Sequence, residues 1–139
     1  MYLLKTEACF DSAHFLKDYN GKCANIHGHR WKVVIEVGNE NLQQDVNNRG
    51  MIIDFSELKK DLKQLTECID HCLIIENDSL KKNTFDALLE EGFKIIEVPF
   101  RPTAENFSKY FFGMMKEKGY NVITSTVYET PRNCATYWE

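Results

Sequence analysis

Residues 30–38, "RWKVVIEVG", place Trp31, Val33, Ile35 and Val37 at every second position. Successive side chains of a strand point to opposite faces, so this stretch carries one apolar face that something else must cover. The run from Leu3 to about Phe15, dense in aromatic and apolar residues at short spacing, reads as a second strand. Helical patterns supply the cover. Asp54 stands three residues before Glu57 in a capping-box arrangement, and Phe55, Leu58, Leu62, Leu65 and Ile69 follow at helical spacing. A second helix opens at "RPTAEN" with Thr103 as its cap, runs through an apolar stripe of Phe107, Tyr110, Phe111 and Met114, and ends at Gly119. Such a stripe belongs to a core rather than to a cofactor box. "VITSTVYET" and "NCATYWE" alternate again around Pro131 and Arg132, which predicts a closing hairpin. Residues 73–101 read as a short helix near Phe85–Glu91 followed by an extended "KIIEVPF". The order strand, strand, helix, excursion, helix, strand, strand predicts an α+β fold, an antiparallel sheet with helices on one face.

With 139 residues, 43% of them hydrophobic, and neither repeat nor linker, the expectation is a single domain spanning 1–139 with a core that needs no disulfides. A net charge of -4, with 17 Lys and Arg dispersed among 21 Asp and Glu, offers no basic stripe for a phosphate backbone, so nucleic acid is excluded as an expected partner. No apolar run is long enough for a membrane span or a signal peptide, and a cytoplasmic protein with no membrane partner is expected. Five cysteines (Cys9, Cys23, Cys68, Cys72, Cys134) form no C-x-x-C pair and are expected as free thiols, most of them in the core.

The chain has only four histidines: His14, His27, His29 and His71. On a strand, the H-G-H of residues 27–29 projects two imidazoles to one face, with Gly28 leaving room for close approach, and His14 completes a set of three if the two strands pair. Three nitrogen ligands with a fourth position open describe a catalytic zinc site, although iron or nickel suits the same nitrogens and such pairs also occur on solvated strands without metal. Cys23, in a loop flanked by Gly21 and Lys22, reads as a closing fourth ligand, as a thiolate base, or as a buried free cysteine. Asp70 directly before His71 reads either as a helix-end ion pair or as a carboxylate fixing an imidazole for proton transfer.

"FDSAH" (10–14), "CANIHGH" (23–29), "GMIIDFSELK" (50–59), "IDH" (69–71), "PTAEN" (102–106) and "YETP" (128–131) together resemble the 6-pyruvoyl- and 6-carboxy-tetrahydropterin synthase family from end to end. The resemblance implies zinc held by His14, His27 and His29, a catalytic thiol at Cys23 and proton transfer by Asp70 and His71. It implies that Glu129 anchors the pterin edge, with Thr103 and Glu105 in the pocket. It implies a tunnelling fold, a four-stranded antiparallel sheet with two helices on one face, assembled into an oligomeric barrel, usually a homohexamer with active sites between subunits. Cys23 lies four positions before His27, the short spacing similar to that of the bacterial queuosine-pathway branch, and its presence excludes the branch carrying glutamate instead. That branch converts 7,8-dihydroneopterin triphosphate to 6-carboxy-5,6,7,8-tetrahydropterin, releasing acetaldehyde and triphosphate. The alternatives are a synthase that only eliminates triphosphate to give the 6-pyruvoyl product, and a non-catalytic pterin- or zinc-binding module. Residues 73–101 depart from the shortest family members by their length. For the triphosphate, Lys22, Arg30 and Arg101 are cations by sequence proximity alone.

Overall fold

A computed structural model describes residues 1–139. Its strands are β1 (Tyr2–His14), β2 (His27–Asn39), β3 (Cys72–Glu76), β4 (Ile95–Val98), β5 (Val122–Thr130) and β6 (Asn133–Tyr137), and its helices α1 (Phe55–Cys68), α2 (Lys82–Glu90) and α3 (Ala104–Glu117). They form one six-stranded sheet in the order β4-β3-β1-β2-β5-β6.

The expected four-stranded antiparallel sheet is therefore the β1-β2-β5-β6 part of a larger, mixed sheet. β1 pairs β2, β2 pairs β5 and β5 pairs β6 antiparallel, the last through the expected hairpin. The 73–101 excursion adds β3 and β4, and both the β1–β3 and β3–β4 pairs are parallel. Parallel neighbours need a crossover; α2 supplies the one from β3 to β4, while β1 reaches β3 by way of β2 and α1, so there are three helices rather than two. The predicted short helix and extended run in this excursion are α2 and β4, each displaced by a few residues.

α1 and α3 carry the apolar faces that cover the sheet. Leu58 and Leu62 from α1 and Phe107, Phe111 and Met115 from α3 join Phe10, Trp31, Val33, Ile35 and Val37 of β1 and β2 in one buried cluster. Asp54 caps α1 as expected, but its carboxylate accepts from the Ser56 N–H at 2.7 Å, and the reciprocal bond from Glu57 is replaced by this tighter local turn. Phe55, counted in the apolar stripe, sits in the first turn with 59% of its surface exposed. Thr103 caps α3 by accepting from Asn106 N–H, and Gly119 follows the end of that helix at φ +94, the left-handed conformation that glycine takes freely.

All five cysteines are free thiols, but only Cys72 is buried. Cys9, Cys68 and Cys134 are exposed, contrary to the expected core placement. Cys9 alternates with the inward-facing Phe10 on β1, Cys68 closes α1, and Cys134 lies on the edge strand β6.

Trp31 is fully buried, in edge-to-face contact with Phe107 at 5.1 Å and stacked on Phe10 at 5.9 Å, and its indole N–H donates to the Ser12 carbonyl at 3.3 Å. Replacing Trp31 by alanine leaves a cavity at the joint between sheet and α3 and costs about 3–5 kcal/mol. Denaturant unfolding checks it: a midpoint within error of the parent protein's would contradict this packing.

Candidate functional site

The face of β2 that carries Trp31, Val33, Ile35 and Val37 into the core also carries His27 and His29, because all lie at odd positions of one strand. The β1–β2 register places His14 opposite His27 and Ser12 opposite His29. Strand pairing thus completes the set of three imidazoles. Their ligand nitrogens lie within 4.8 Å of one another, beside the edge of Trp31 at 4.9 Å from His14 and 5.3 Å from His29.

Two backbone carbonyls fix how these rings present themselves. His14 Nδ1 lies 2.7 Å from the Pro102 carbonyl and His27 Nδ1 lies 2.6 Å from the Asn25 carbonyl. A carbonyl only accepts, so each Nδ1 carries the proton and donates. Both Nε2 atoms are then bare lone pairs in the neutral rings, yet they face each other at 3.1 Å. His29 Nε2 is buried without any partner. Lone pairs at this separation repel unless a cation lies among them. Burial, with some opposition from the Pro102 hydrogen bond, pushes His14 down to about 4, and burial also lowers His29. Burial thus keeps the proton off His14 near neutral pH. A tetrahedral zinc ion with bonds of about 2.0–2.1 Å separates its nitrogen ligands by roughly 3.3–3.4 Å, a spacing close to this one. The residues fit a zinc ion, and the carbonyl-held rings are the outer arrangement that metal histidines favour.

Glu129 on β5 faces the same point. Its Oε1 lies 3.6 Å from His14 Nε2 and 3.7 Å from His29 Nε2, too far for hydrogen bonds and close enough to set the local field. Cys23 stands apart from the converging nitrogens, half-buried in a short 3-10 turn, Lys22–Ala24, that is tied down by Leu16 N–H donating to the Cys23 carbonyl at 2.8 Å. Asp70 and His71 follow the end of α1, with His71 Nδ1–H donating to Asp70 Oδ2 at 2.8 Å and the imidazole 77% exposed. An open groove of about 600 Å³ connects the two regions and is lined by His29, His71, Ile26, Leu73, Phe93 and Lys94 among others.

Thr103 and Glu105 sit at the start of α3, Thr103 as its cap and Glu105 exposed in the first turn. The "PTAEN" stretch that holds them also delivers the Pro102 carbonyl to His14, while Asn106 Nδ2 donates to the Arg101 carbonyl at 2.9 Å. Gly28 does not earn its place by crowding: a Cβ there would meet the Ser12 carbonyl oxygen at 3.5 Å, an ordinary contact. Two proposed triphosphate cations are otherwise engaged, Arg30 with Asp11 and Arg101 with the Lys17 carbonyl. The carbonyls of Pro102 and Asn25 were beyond sequence reasoning, since every residue has one and only the fold says which is aimed at a histidine.

A sequence profile describing 6-pyruvoyl tetrahydropterin synthase matches residues 3–139. The chain belongs to the 6-pyruvoyl tetrahydropterin synthase family. Among relatives, the 6-carboxy-5,6,7,8-tetrahydropterin synthase of Haemophilus influenzae is 32% identical over the whole of both chains. The protein of the same name from Aquifex aeolicus is 34% identical, over 85% of this chain and 76% of its own. Among solved structures, an uncharacterised protein of Wolinella succinogenes superposes with a TM-score of 0.82 at 21% identity, covering 99% of this chain and 98% of that one. A 6-pyruvoyltetrahydropterin synthase of Plasmodium vivax superposes with a TM-score of 0.70 at 22% identity, covering 99% and 97%. These likenesses show that the fold is the family's, here with six strands and three helices. No helix is long and apolar enough to cross a membrane.

The buried His14 makes the metal-free protein acid-sensitive. The unfolded chain takes up a proton on His14 near its ordinary value of 6.5, whereas the folded protein resists until about 4. Stability is therefore complete above 6.5 and is lost as the pH falls from there toward 4, by a few kcal/mol in all. Urea unfolding of metal-free protein between pH 7 and 4 checks it, and a flat profile would count against a neutral, buried His14.

Proposed function

We propose that this chain is a zinc-dependent 6-carboxy-5,6,7,8-tetrahydropterin synthase, a carbon–carbon lyase acting on 7,8-dihydroneopterin triphosphate in 7-deazaguanine (queuosine) biosynthesis. The observation that carries the reading is the set of three imidazoles whose ring nitrogens converge within 4.8 Å, with the Nδ1 protons of His14 and His27 turned away onto backbone carbonyls. Relatives that bear that name, one of them matched over the whole of both chains, and Cys23 at its short spacing from His27, support it. We read the working form as a homo-oligomer, a hexamer, with the groove beside His29 and His71 completed by a neighbouring copy; so small a domain has little depth of its own to enclose a pterin.

His14, His27 and His29 would hold the zinc, which supplies Lewis acidity toward the hydroxyls of the substrate side chain. Cys23, as thiolate, takes a proton from a side-chain carbon, and its turn is tethered through the main chain to Leu16. The Asp70–His71 pair returns protons: the carboxylate fixes the ring through Nδ1, which leaves Nε2 as the atom that donates and accepts. With one water consumed, triphosphate and acetaldehyde leave and the carboxyl group remains on the reduced pterin. Glu129, in reach of the histidine cluster, accepts two hydrogen bonds from the amino and ring N–H groups of the pterin. Thr103 and Glu105, at the start of α3, would complete that pocket.

Glu129→Gln keeps shape and removes the charge that receives the pterin. KM should rise by roughly 10- to 100-fold, the worth of a hydrogen bond to a charged group, with a much smaller change in kcat and with zinc retained. An unchanged KM would remove Glu129 from pterin recognition.

The deciding experiment incubates the zinc-loaded protein with 7,8-dihydroneopterin triphosphate and follows products by mass spectrometry. 6-Carboxy-tetrahydropterin with acetaldehyde is the expected result. A 6-pyruvoyl product would keep the site but overturn the branch, and absence of turnover with metal bound would replace the enzyme with a binding module.

A further inference from the structure

We propose that Asp11 and Arg30 form a positioning pair for Asp70 and His71, fastening them to the sheet and balancing the charge beside them. The inference deepens the reading of Asp70 and His71 as the proton-transfer pair and rests on it.

Asp11 and Arg30 lie directly opposite each other in the β1–β2 register. Arg30 Nε donates to Asp11 Oδ1 and Nη2 to Oδ2, both at 2.9 Å, the bidentate fork that fixes a carboxylate in angle as well as distance. The backbone of the same residue reaches the other way. Asp11 N–H donates to Asp70 Oδ1 at 2.7 Å, and the Asp11 carbonyl accepts from His71 N–H at 2.6 Å. With Oδ2 receiving His71 Nδ1–H, both oxygens of Asp70 are engaged. His71 has φ +53, a left-handed conformation that a residue with a side chain keeps only when its surroundings impose it. Here the Asp11 carbonyl imposes it. One residue of β1 thus dictates the backbone of His71 and the orientation of Asp70, and Arg30 dictates that residue's side chain.

The second role is electrostatic. Asp11 and Asp70 are two carboxylates beside one imidazole, and Arg30 is the cation that offsets them. The Arg30 hydrogen bond holds the Asp11 carboxyl below its usual range, while the Asp11 N–H does the same for Asp70. Other groups around Asp70 are Glu7 and Cys9 of β1 and Lys59, Lys63 and Glu67 of α1, of which Lys63 and Glu67 pair with each other at 3.4 Å. Lys94 faces the groove with His71 but is held by the Cys68 carbonyl at 2.8 Å. None of these makes a hydrogen bond to the dyad, whereas Asp11 bonds both of its members through its main chain and holds Arg30 on its side chain.

The two members therefore have opposite signatures. Arg30→Gln leaves two uncompensated carboxylates, which favour the protonated imidazole and move the dyad's titration to higher pH. Asp11→Asn leaves an unmatched guanidinium and moves it to lower pH. Arg30→Lys keeps the charge but not the fork, so the midpoint stays in place while kcat falls. The double variant Asp11→Asn/Arg30→Gln returns the midpoint toward the parent. Each single variant should lose roughly tenfold in kcat with zinc content and KM little changed. The midpoint is read by NMR of labelled histidine in the zinc-loaded protein, with the His71 signal assigned by its disappearance in His71→Ala, alongside the pH profile of kcat. Shifts of the same sign in the two single variants, or no shift in either, would overturn the pairing, because a merely structural contact has no reason to give opposite signs. Normal turnover by His71→Ala would instead overturn the proton-transfer reading, and the NMR midpoints would still judge the charge balance independently.

Discussion

Cys23→Ala protein should bind zinc and pterin as the parent does and lose about 10³-fold in turnover, the usual worth of a positioned acid–base group. The thiol is not among the three converging ligands, so the metal does not depend on it. Nor does the fold: the turn holding Cys23 is built from backbone bonds, Leu16 N–H to the Cys23 carbonyl and Ala24 N–H to the Gly21 carbonyl, which alanine preserves. The variant therefore separates chemistry from architecture. Metal analysis and substrate titration give the first half of the result, single-turnover kinetics the second. Turnover within a few-fold of the parent would end the role of Cys23 as base, and loss of zinc on substitution would make it a ligand after all.

His29→Ala should abolish activity in a different way, by lowering zinc affinity more than about 100-fold, since even outer-shell changes at metal sites cost 10- to 100-fold. The metal-free protein, by contrast, should lose little stability, because the side chain removed carries a buried Nε2 that has no partner without an ion. The parent is thus stabilised by added zinc through mass action and the variant is not. Thermal unfolding with and without zinc reads the difference. If zinc raised the Tm of both proteins equally, the ion would be bound elsewhere.

Much of the fold was legible because its signals are periodic. The odd positions of β2, the Leu58–Leu62 spacing of α1 and the Phe107–Phe111 spacing of α3 each state which face is buried. What escaped was β3. "CLIIE" is a run of four apolar residues closed by Glu76, its pairing is decided by tertiary context, and its parallel partnership with β1 involves only Ser12, Ala13 and His14. The convergence of His14 with His27 and His29 was legible once β1 and β2 were taken as paired strands. The Pro102 and Asn25 carbonyls, which decide the tautomers, were not, because backbone atoms leave no mark in a sequence. Arg30 shows the same limit. By proximity it was a phosphate cation, and only the cross-strand register reveals that Asp11 occupies it.

The face of β2 that runs from Val37 through Trp31 to His29 and His27 has a kinetic consequence. Two of the three nitrogens sit on the first residues of β2, where β1 is the only hydrogen-bonded neighbour and β5 joins from Lys32 onward. An ion held there would sit at the end of the β1–β2 ladder, where local opening costs less than it does in the core of the sheet. Amide hydrogens near His27 should accordingly exchange faster than those of Val33 to Ile35 in metal-free protein, and a metal ion held by the histidines should slow them selectively.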